Sequence, residues 1–219
     1  IAHEIKNPLT PMKLSVQQSI RKKEIDPDNF DEYFKKTSKI LIEQIDNLSR
    51  IASEFSSFAK ASVMVKEDVD IAEKLQSVVT LFENNSEGVK FSLNMNGHDS
   101  AVILGDNKQI LQVFNNLFKN AIQAIPEGKD GLVDVNFNIE QDRVLIRIKD
   151  NGCGIPNEIR DNLFQPNFTT KTSGMGLGLA IVKNILKSSD GDIWFESEEG
   201  VGTTFIIDVP LKKIKGEKL

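Results

Sequence analysis

Phe34, Leu41, Leu48 and Phe55 stand seven residues apart, and Thr37, Gln44, Ile51 and Phe58 follow them at three-residue offsets. A repeat of that period keeps one stripe of an α-helix turned toward a partner, so it predicts a helix-on-helix seam. Upstream, Ile5, Leu9, Met12, Val16 and Ile20 recur at steps of four and three and predict a second amphipathic helix. The stretch between them, KKEIDPDNF, is polar and broken by Pro27. The pattern predicts a helical hairpin over residues 3–22 and 29–60. Two helices alone cannot enclose a core, and their stripes need another surface. A second copy supplies one as a two-fold four-helix bundle. The alternative is packing against the rest of the same chain.

Pro8 and Pro11 fall inside the first helix, where each removes a backbone donor and crowds the preceding turn. The expectation is a bend or a loosened turn just after His3. The alternative is an ordered helix that starts at Pro8, where proline is tolerated.

Beyond about residue 67 the pattern turns to mixed helix and strand. IAEKLQSVVTLFEN, NKQILQVFNNLFKNAIQAI and LGLAIVKNILKSS read as helices. VKFSLNM, AVILG, LVDVNFNIE, RVLIRIKD, DIWFES and TTFIIDVPL read as strands, with a hairpin around Gln141–Asp142. The fold class is therefore α+β: a helical hairpin at 1–62, a linker at 63–70 and an α/β sandwich at 71–214.

Composition narrows the function. The 219 residues carry a net charge of −5, which argues against a nucleic-acid binder. No run approaches the roughly 18 apolar residues of a membrane span, and no leader is visible. The single cysteine, Cys153, excludes an internal disulfide and fits a reducing compartment. It reads as a small buried filler rather than a redox switch. Because the chain starts without Met, it reads as a piece of a longer protein.

Four clusters in the second region can carry chemistry. Asn116 and Asn120 lie one turn apart in NNLFKNA, with Lys119 between them. Two amide oxygens so spaced can share a hydrated Mg²⁺ that bridges phosphates; the alternative is a solvated helix face. DNGCGIP runs from a strand end at Asp150 into a turn through Gly152 and Gly154. A carboxylate there can accept a hydrogen bond from an exocyclic amine, or the segment is simply a tight turn. FQPNFTTKTSGMGLGLAIVKN contains Phe168 and Lys171, and places Gly174, Gly176 and Gly178 before a helix whose N-terminus can hold phosphate. Its length and polarity suit a lid, and its order in the chain rules out a dinucleotide fold. GVGTTF turns into the last strand, where Thr203 could bring a hydroxyl near the strand carrying Asp150.

In this order, HEIKNPL, NNLFKNA, DNGCGIP, FQPNFTTK, GMGLGL and GTTF resemble the H, N, G1, F and G2 boxes of the bacterial two-component sensor histidine kinases. AHEIKNPLTPMKLS and ASEFSSFAK further resemble the nitrogen-regulation (NtrY-like) subgroup. The resemblance implies a dimerisation and histidine-phosphotransfer hairpin followed by a Bergerat-fold ATP-binding domain. It implies that His3 accepts the γ-phosphate of ATP, that Glu4 takes the proton released, and that Asn7 orients water when a partner regulator is dephosphorylated. It assigns Asp150 to adenine, Asn116 and Asn120 to Mg²⁺, Lys119 and Lys171 to phosphates, and Gly174, Gly176 and Gly178 to the lid. Gly152, Gly154, Phe168 and Thr203 belong to the same boxes. The ATP-hydrolysing relatives, such as the Hsp90 chaperones, gyrase B and MutL, carry a water-activating glutamate where this chain has Asn116. The site is therefore expected to bind Mg·ATP and hydrolyse it poorly.

The implied partners are a second copy through the hairpin and the receiver domain of a response regulator. No nucleic acid and no membrane contact are expected from this segment. The implied location is cytoplasmic, as the kinase core of an inner-membrane sensor. Two other readings stand beside this one: a GHKL-type ATPase or chaperone module, and a non-catalytic dimerising scaffold.

Overall fold

The computed structural model describes residues 2–60, 65–166, 168–169 and 176–213, with residues 2–4, 50 and 53–60 described by backbone alone. Helix α1 spans Ala2–Ile25 and α2 spans Phe30–Lys60, joined by a short 3-10 turn at Pro27–Asn29. The two helices pack against each other as a hairpin. α1 is helical through both Pro8 and Pro11, so it does not begin at Pro8.

The faces within the hairpin differ from the sequence expectation in two respects. On α2 the seam holds from residue 37 onward, where Thr37 and Ile51 are buried and Leu41, Gln44 and Leu48 half-buried, but its first residue, Phe34, is 48% exposed. On α1 the line turned inward is Pro8, Met12, Ser15, Ser19 and Lys22. Ile5, Leu9, Val16 and Ile20 of the expected apolar face are exposed, and Phe34, Ile42 and Ile45 of α2 are exposed as well. Small and polar residues let the two helices approach, while the larger apolar groups face outward. The side chains of Phe55 and Phe58 lie outside the described residues.

The second region begins with β1 (Glu67–Asp70), which pairs antiparallel with β3 (Val102–Gly105). Residues 67–70 were expected to be linker, and their pairing places them in the sheet structure instead. The sequence EDVD has too little apolar content to read as a strand; its neighbour β3 and the cap it starts decide its conformation. Asp70 ends β1 and caps α3 (Ile71–Asn85), accepting from the N–H groups of Ala72 and Glu73 at 3.1 and 3.2 Å. Asp106 likewise caps α4 (Asn107–Ala124), accepting from Lys108 N and Gln109 N at 3.0 and 3.1 Å.

The main sheet has the order β2 (Val89–Asn94), β4 (Gly131–Glu140), β5 (Arg143–Asp150), β7 (Gly202–Pro210), β6 (Asp192–Glu198). Only the β2–β4 pair is parallel. β4 and β5 form the expected hairpin about Gln141–Asp142, with Gln141 at φ 58°. Alternating Val133, Val135 and Phe137 on β4 and Val144, Ile146 and Ile148 on β5 turn one face inward. Helices α3, α4 and α5 (Gly178–Ser188) cover that face. Phe114, Leu117 and Phe118 of α4 are fully buried against it, and Phe118 packs on Phe82 and Phe91 at ring separations of 5.5 and 5.9 Å. The result is the expected two-layer sandwich, with α4 at the centre of the helical layer. The segment just after β7 ties the two sheets together: Leu211 N donates to Asp142 O and Lys212 N to Val102 O, each at 2.8 Å, and Lys212 pairs with Asp68.

Candidate nucleotide site

Asp150 is the last residue of β5, with Val133 on one side and Thr203 of β7 on the other. It is 2% exposed. Its Oδ1 accepts from Gly152 N at 2.8 Å and from Thr203 N at 3.3 Å. Among the described residues nothing bonds to Oδ2, so backbone donors fix one oxygen and leave the other unpaired. Burial pushes the carboxyl above its ordinary value, and the two backbone donors and the Lys129 charge oppose that rise.

The turn after Asp150 requires glycine twice. A β-carbon on Gly152 would stand 2.6 Å from the carbonyl oxygen of Ala124 at the end of α4. Gly154 has φ +70°, and a β-carbon there would stand 2.1 Å from Glu198 O. Cys153 N donates to Ala124 O at 2.8 Å, and Gly200 N to Cys153 O at 2.8 Å, so the loop is pinned between α4 and the β6–β7 turn. Cys153 itself is exposed, which corrects the expected buried filler. Its backbone makes the buried contacts, and its side chain is turned outward.

Asn116 sits half-buried on α4, with Nδ2 donating to Gln112 O one turn back at 2.9 Å. That bond fixes the amide with Oδ1 directed at the start of α5: a β-carbon on Gly178 would stand 3.2 Å from it. Asn120 is half-buried one turn further on and engaged in a contact of its own. Lys119 is exposed. Gly176, at φ +63°, lies against the backbone of Phe168, whose carbonyl oxygen a β-carbon would meet at 2.3 Å. The F box and the glycine segment are therefore in direct contact. Lys171 and Gly174, and the side chains of His3 and Glu4, lie outside the described residues. Asn7 is exposed on α1 beside the buried Pro8.

Two residues near this site escaped the sequence reading. Ser197 on β6 accepts from Ile155 N at 2.9 Å and lies 2.9 Å from Thr203 Oγ1. Arg160 donates from Nη2 to Ser197 O at 2.7 Å and from Nε to Ile155 O at 3.1 Å. A serine in a strand and an arginine in a polar turn carry no sequence signal; only the register of β6 on β7 brings them together.

A buried carboxylate with one free oxygen, a hard amide oxygen facing a helix start, and a glycine cradle fit a purine nucleotide and a hydrated dication at its phosphates. No cluster of three or more His, Cys, Asp or Glu side chains able to hold a metal occurs among the described residues. The oxygen donors available are amides, which suit a weakly held, phosphate-bridging ion.

Residues 105–213 match the family described as histidine kinase-, DNA gyrase B-, and HSP90-like ATPase. Across 97% of its length the chain is 36% identical to sporulation kinase C of Bacillus subtilis, and across 99% it is 34% identical to the nitrogen regulation protein NtrY of Azorhizobium caulinodans. It spans 48% of the first and 29% of the second. The nitrogen-regulation subgroup is thus represented, at an identity no higher than that of a sporulation kinase. Among solved structures, the catalytic domain of histidine kinase ThkA is 31% identical, with 67% of this chain and 96% of that one covered and a TM-score of 0.59. ThkA in complex with the response regulator TrrA aligns over 96% of this chain and 60% of that one, at 26% identity and a TM-score of 0.73. With both the hairpin and the sandwich matched, the chain belongs to the sensor histidine kinases of two-component signalling.

Proposed function

We propose that this chain is the kinase core of a two-component sensor: it binds Mg·ATP, phosphorylates its own His3 and passes the phosphoryl group to an aspartate of a response-regulator receiver domain. The observation that carries this reading is the pairing of a buried Asp150, with one oxygen unbonded, and an Asn116 whose amide oxygen is turned to the start of α5. The first suits an amino-purine and the second suits the metal end of a triphosphate. An amide at position 116 cannot take a proton from water, which favours holding ATP over hydrolysing it.

Asp150 accepts from the exocyclic amine of the base. Asn116 and Asn120 would hold Mg²⁺, which would neutralise charge on the transferred phosphate. Lys119 and Lys171 meet the phosphates, and Gly174, Gly176 and Gly178 let the backbone approach them. An imidazole nitrogen of His3 bonds to the γ-phosphorus, the bond from that phosphorus to the bridging oxygen breaks and ADP leaves, and Glu4 takes the imidazole proton. Asn7, four residues from His3, orients water when the phosphorylated regulator is hydrolysed. The ThkA–TrrA complex supports a receiver domain as partner.

The hairpin at 1–62 serves dimerisation and phosphotransfer, and the remainder serves ATP binding. The exposed Ile5, Leu9, Val16 and Ile20 on α1 and Phe34, Ile42 and Ile45 on α2 support a homodimer, because a second hairpin would cover them. The core is cytoplasmic and the parent protein membrane-anchored; among the described residues no helix is long and apolar enough to cross a membrane. Two assays on each of two variants test the reading: labelling from ATP and release of phosphate from a phosphorylated receiver. Asn7→Ala is expected to keep labelling and lose release, and Glu4→Gln to cut labelling about 10²–10⁴-fold. Proportional loss of both activities in Asn7→Ala would remove Asn7 from the phosphatase step.

A further inference from the structure

Ser197 belongs to none of the motifs that mark the nucleotide site, yet its hydroxyl touches Thr203, which does. It lies on β6 directly across from Thr203 on β7. Three groups surround its oxygen: Ile155 N at 2.9 Å, Gly202 O at 3.0 Å and Thr203 Oγ1 at 2.9 Å. A hydroxyl has one proton to give and two lone pairs to receive with. Gly202 O can only accept, so the Ser197 proton goes there. Sending it to Thr203 instead would leave two oxygens facing each other at 3.0 Å with no proton between them. Ser197 then accepts from Ile155 N and from the hydroxyl of Thr203, and all three contacts are satisfied.

The proton of Thr203 is therefore committed to Ser197, away from Asp150. The nearby backbone donors are committed too: Gly152 N and Thr203 N both give to Asp150 Oδ1. Arg160 holds the arrangement from outside by binding the carbonyls of Ser197 and Ile155. We propose that Ser197 is a specificity-determining positioning residue: by drawing off the Thr203 proton it makes the Asp150–Thr203 corner accept hydrogen bonds and not donate them, which selects a purine with an amino group over one with an oxo group at the six position. This rests on the adenine-nucleotide reading of the site.

The test compares adenosine diphosphate with inosine diphosphate, whose bases differ at the six substituent and its accompanying ring proton. Calorimetric titration of the full chain is expected to show preference for the adenosine form in the wild type. Ser197→Ala is expected to lower the affinity ratio about tenfold, because the freed Thr203 hydroxyl can then donate to an oxo group. Ser197→Thr, which keeps a hydroxyl, is expected to restore the ratio. Thr203→Val removes the acceptor while leaving the Ser197 bonds to Ile155 N and Gly202 O in place, and is also expected to collapse the ratio, so the idea stays testable if Ser197→Ala fails to fold. Equal weakening of both nucleotides, or an unchanged ratio in either variant, would overturn the role given to Ser197 alone. A wild type that binds neither nucleotide would overturn the adenine reading, and this inference with it.

Discussion

Asn116 Oδ1 and Gly178 face each other across the junction of α4 and α5, with room between them for a β-carbon only at 3.2 Å from the oxygen. Because Nδ2 is held by Gln112 O at 2.9 Å, the amide cannot turn aside without giving up that bond. The absence of a side chain at position 178 thus keeps an amide oxygen uncovered at the start of a helix.

Gly178→Val is accordingly expected to weaken Mg·ATP binding by about tenfold or more, since a branched side chain must displace Asn116. Gly178→Ala is expected to do less, because a few tenths of an ångström relieve a single β-carbon. Fluorescence or calorimetric titration reads both. Wild-type affinity in the valine variant would show that Asn116 does not reach the ligand.

Much of this arrangement was legible in the sequence, and the exceptions have physical causes. The long elements were readable because their apolar periodicity is strong: α4 buries Ile110, Val113, Phe114, Leu117 and Phe118 at helical spacing. Strand β1 was not, because EDVD forms a strand only through its ladder to β3 and the cap that Asp70 gives α3. The inward face of α1 was misread because hydrophobicity marks a face that must be covered, not what covers it. Small Ser15 and Ser19 turn toward α2, and Val16 and Ile20 turn out. Cys153 was misplaced for a related reason: its neighbours Gly152 and Gly154 are buried by close backbone contacts, and the residue between them points the other way. Asp150 and Thr203 stand out in the sequence through their motifs, but Ser197 and Arg160 are brought beside them by strand register and loop geometry, which no local pattern records.

The buried carboxylate gives a pH-dependent stability whose sign is fixed. Burial raises the folded-state value of Asp150 above its ordinary 3.8, so the folded protein binds this proton more tightly than the unfolded chain does. Its contribution is fully present below 3.8 and is lost as pH rises through the folded value. Asp150→Asn removes the ionisation. It is expected to melt at a higher temperature than wild type at neutral pH, with the gap closing as pH falls toward 4, and to bind ATP less well. A variant that melts lower at neutral pH would show that the charged form is stabilised by its hydrogen bonds.

The uncovered stripe on the hairpin makes a prediction about assembly. Ile20 is 59% exposed on α1, on the same face as Val16. Placing a charge there, as in Ile20→Glu, is expected to shift a homodimer toward monomer by one to two orders of magnitude in dissociation constant, about 1.4–2.8 kcal/mol. The wild-type and Ile20→Glu chains are compared by analytical ultracentrifugation at several concentrations. An unchanged dimer would place the interface elsewhere, and a wild-type monomer at high concentration would refute dimerisation through this hairpin.

The proposed function needs two parts of the chain to meet: a site in the sandwich for ATP and a histidine on the hairpin for its γ-phosphate. The most direct measurement incubates the wild type and His3→Gln with γ-labelled ATP and Mg²⁺, follows acid-labile label on the protein, and titrates ATP binding on both in parallel. Label is expected on the wild type, none on His3→Gln, and the same ATP affinity for the two. Label persisting in His3→Gln would remove His3 as the acceptor, and ATP affinity lost along with the label would remove the division between the ATP site and the hairpin.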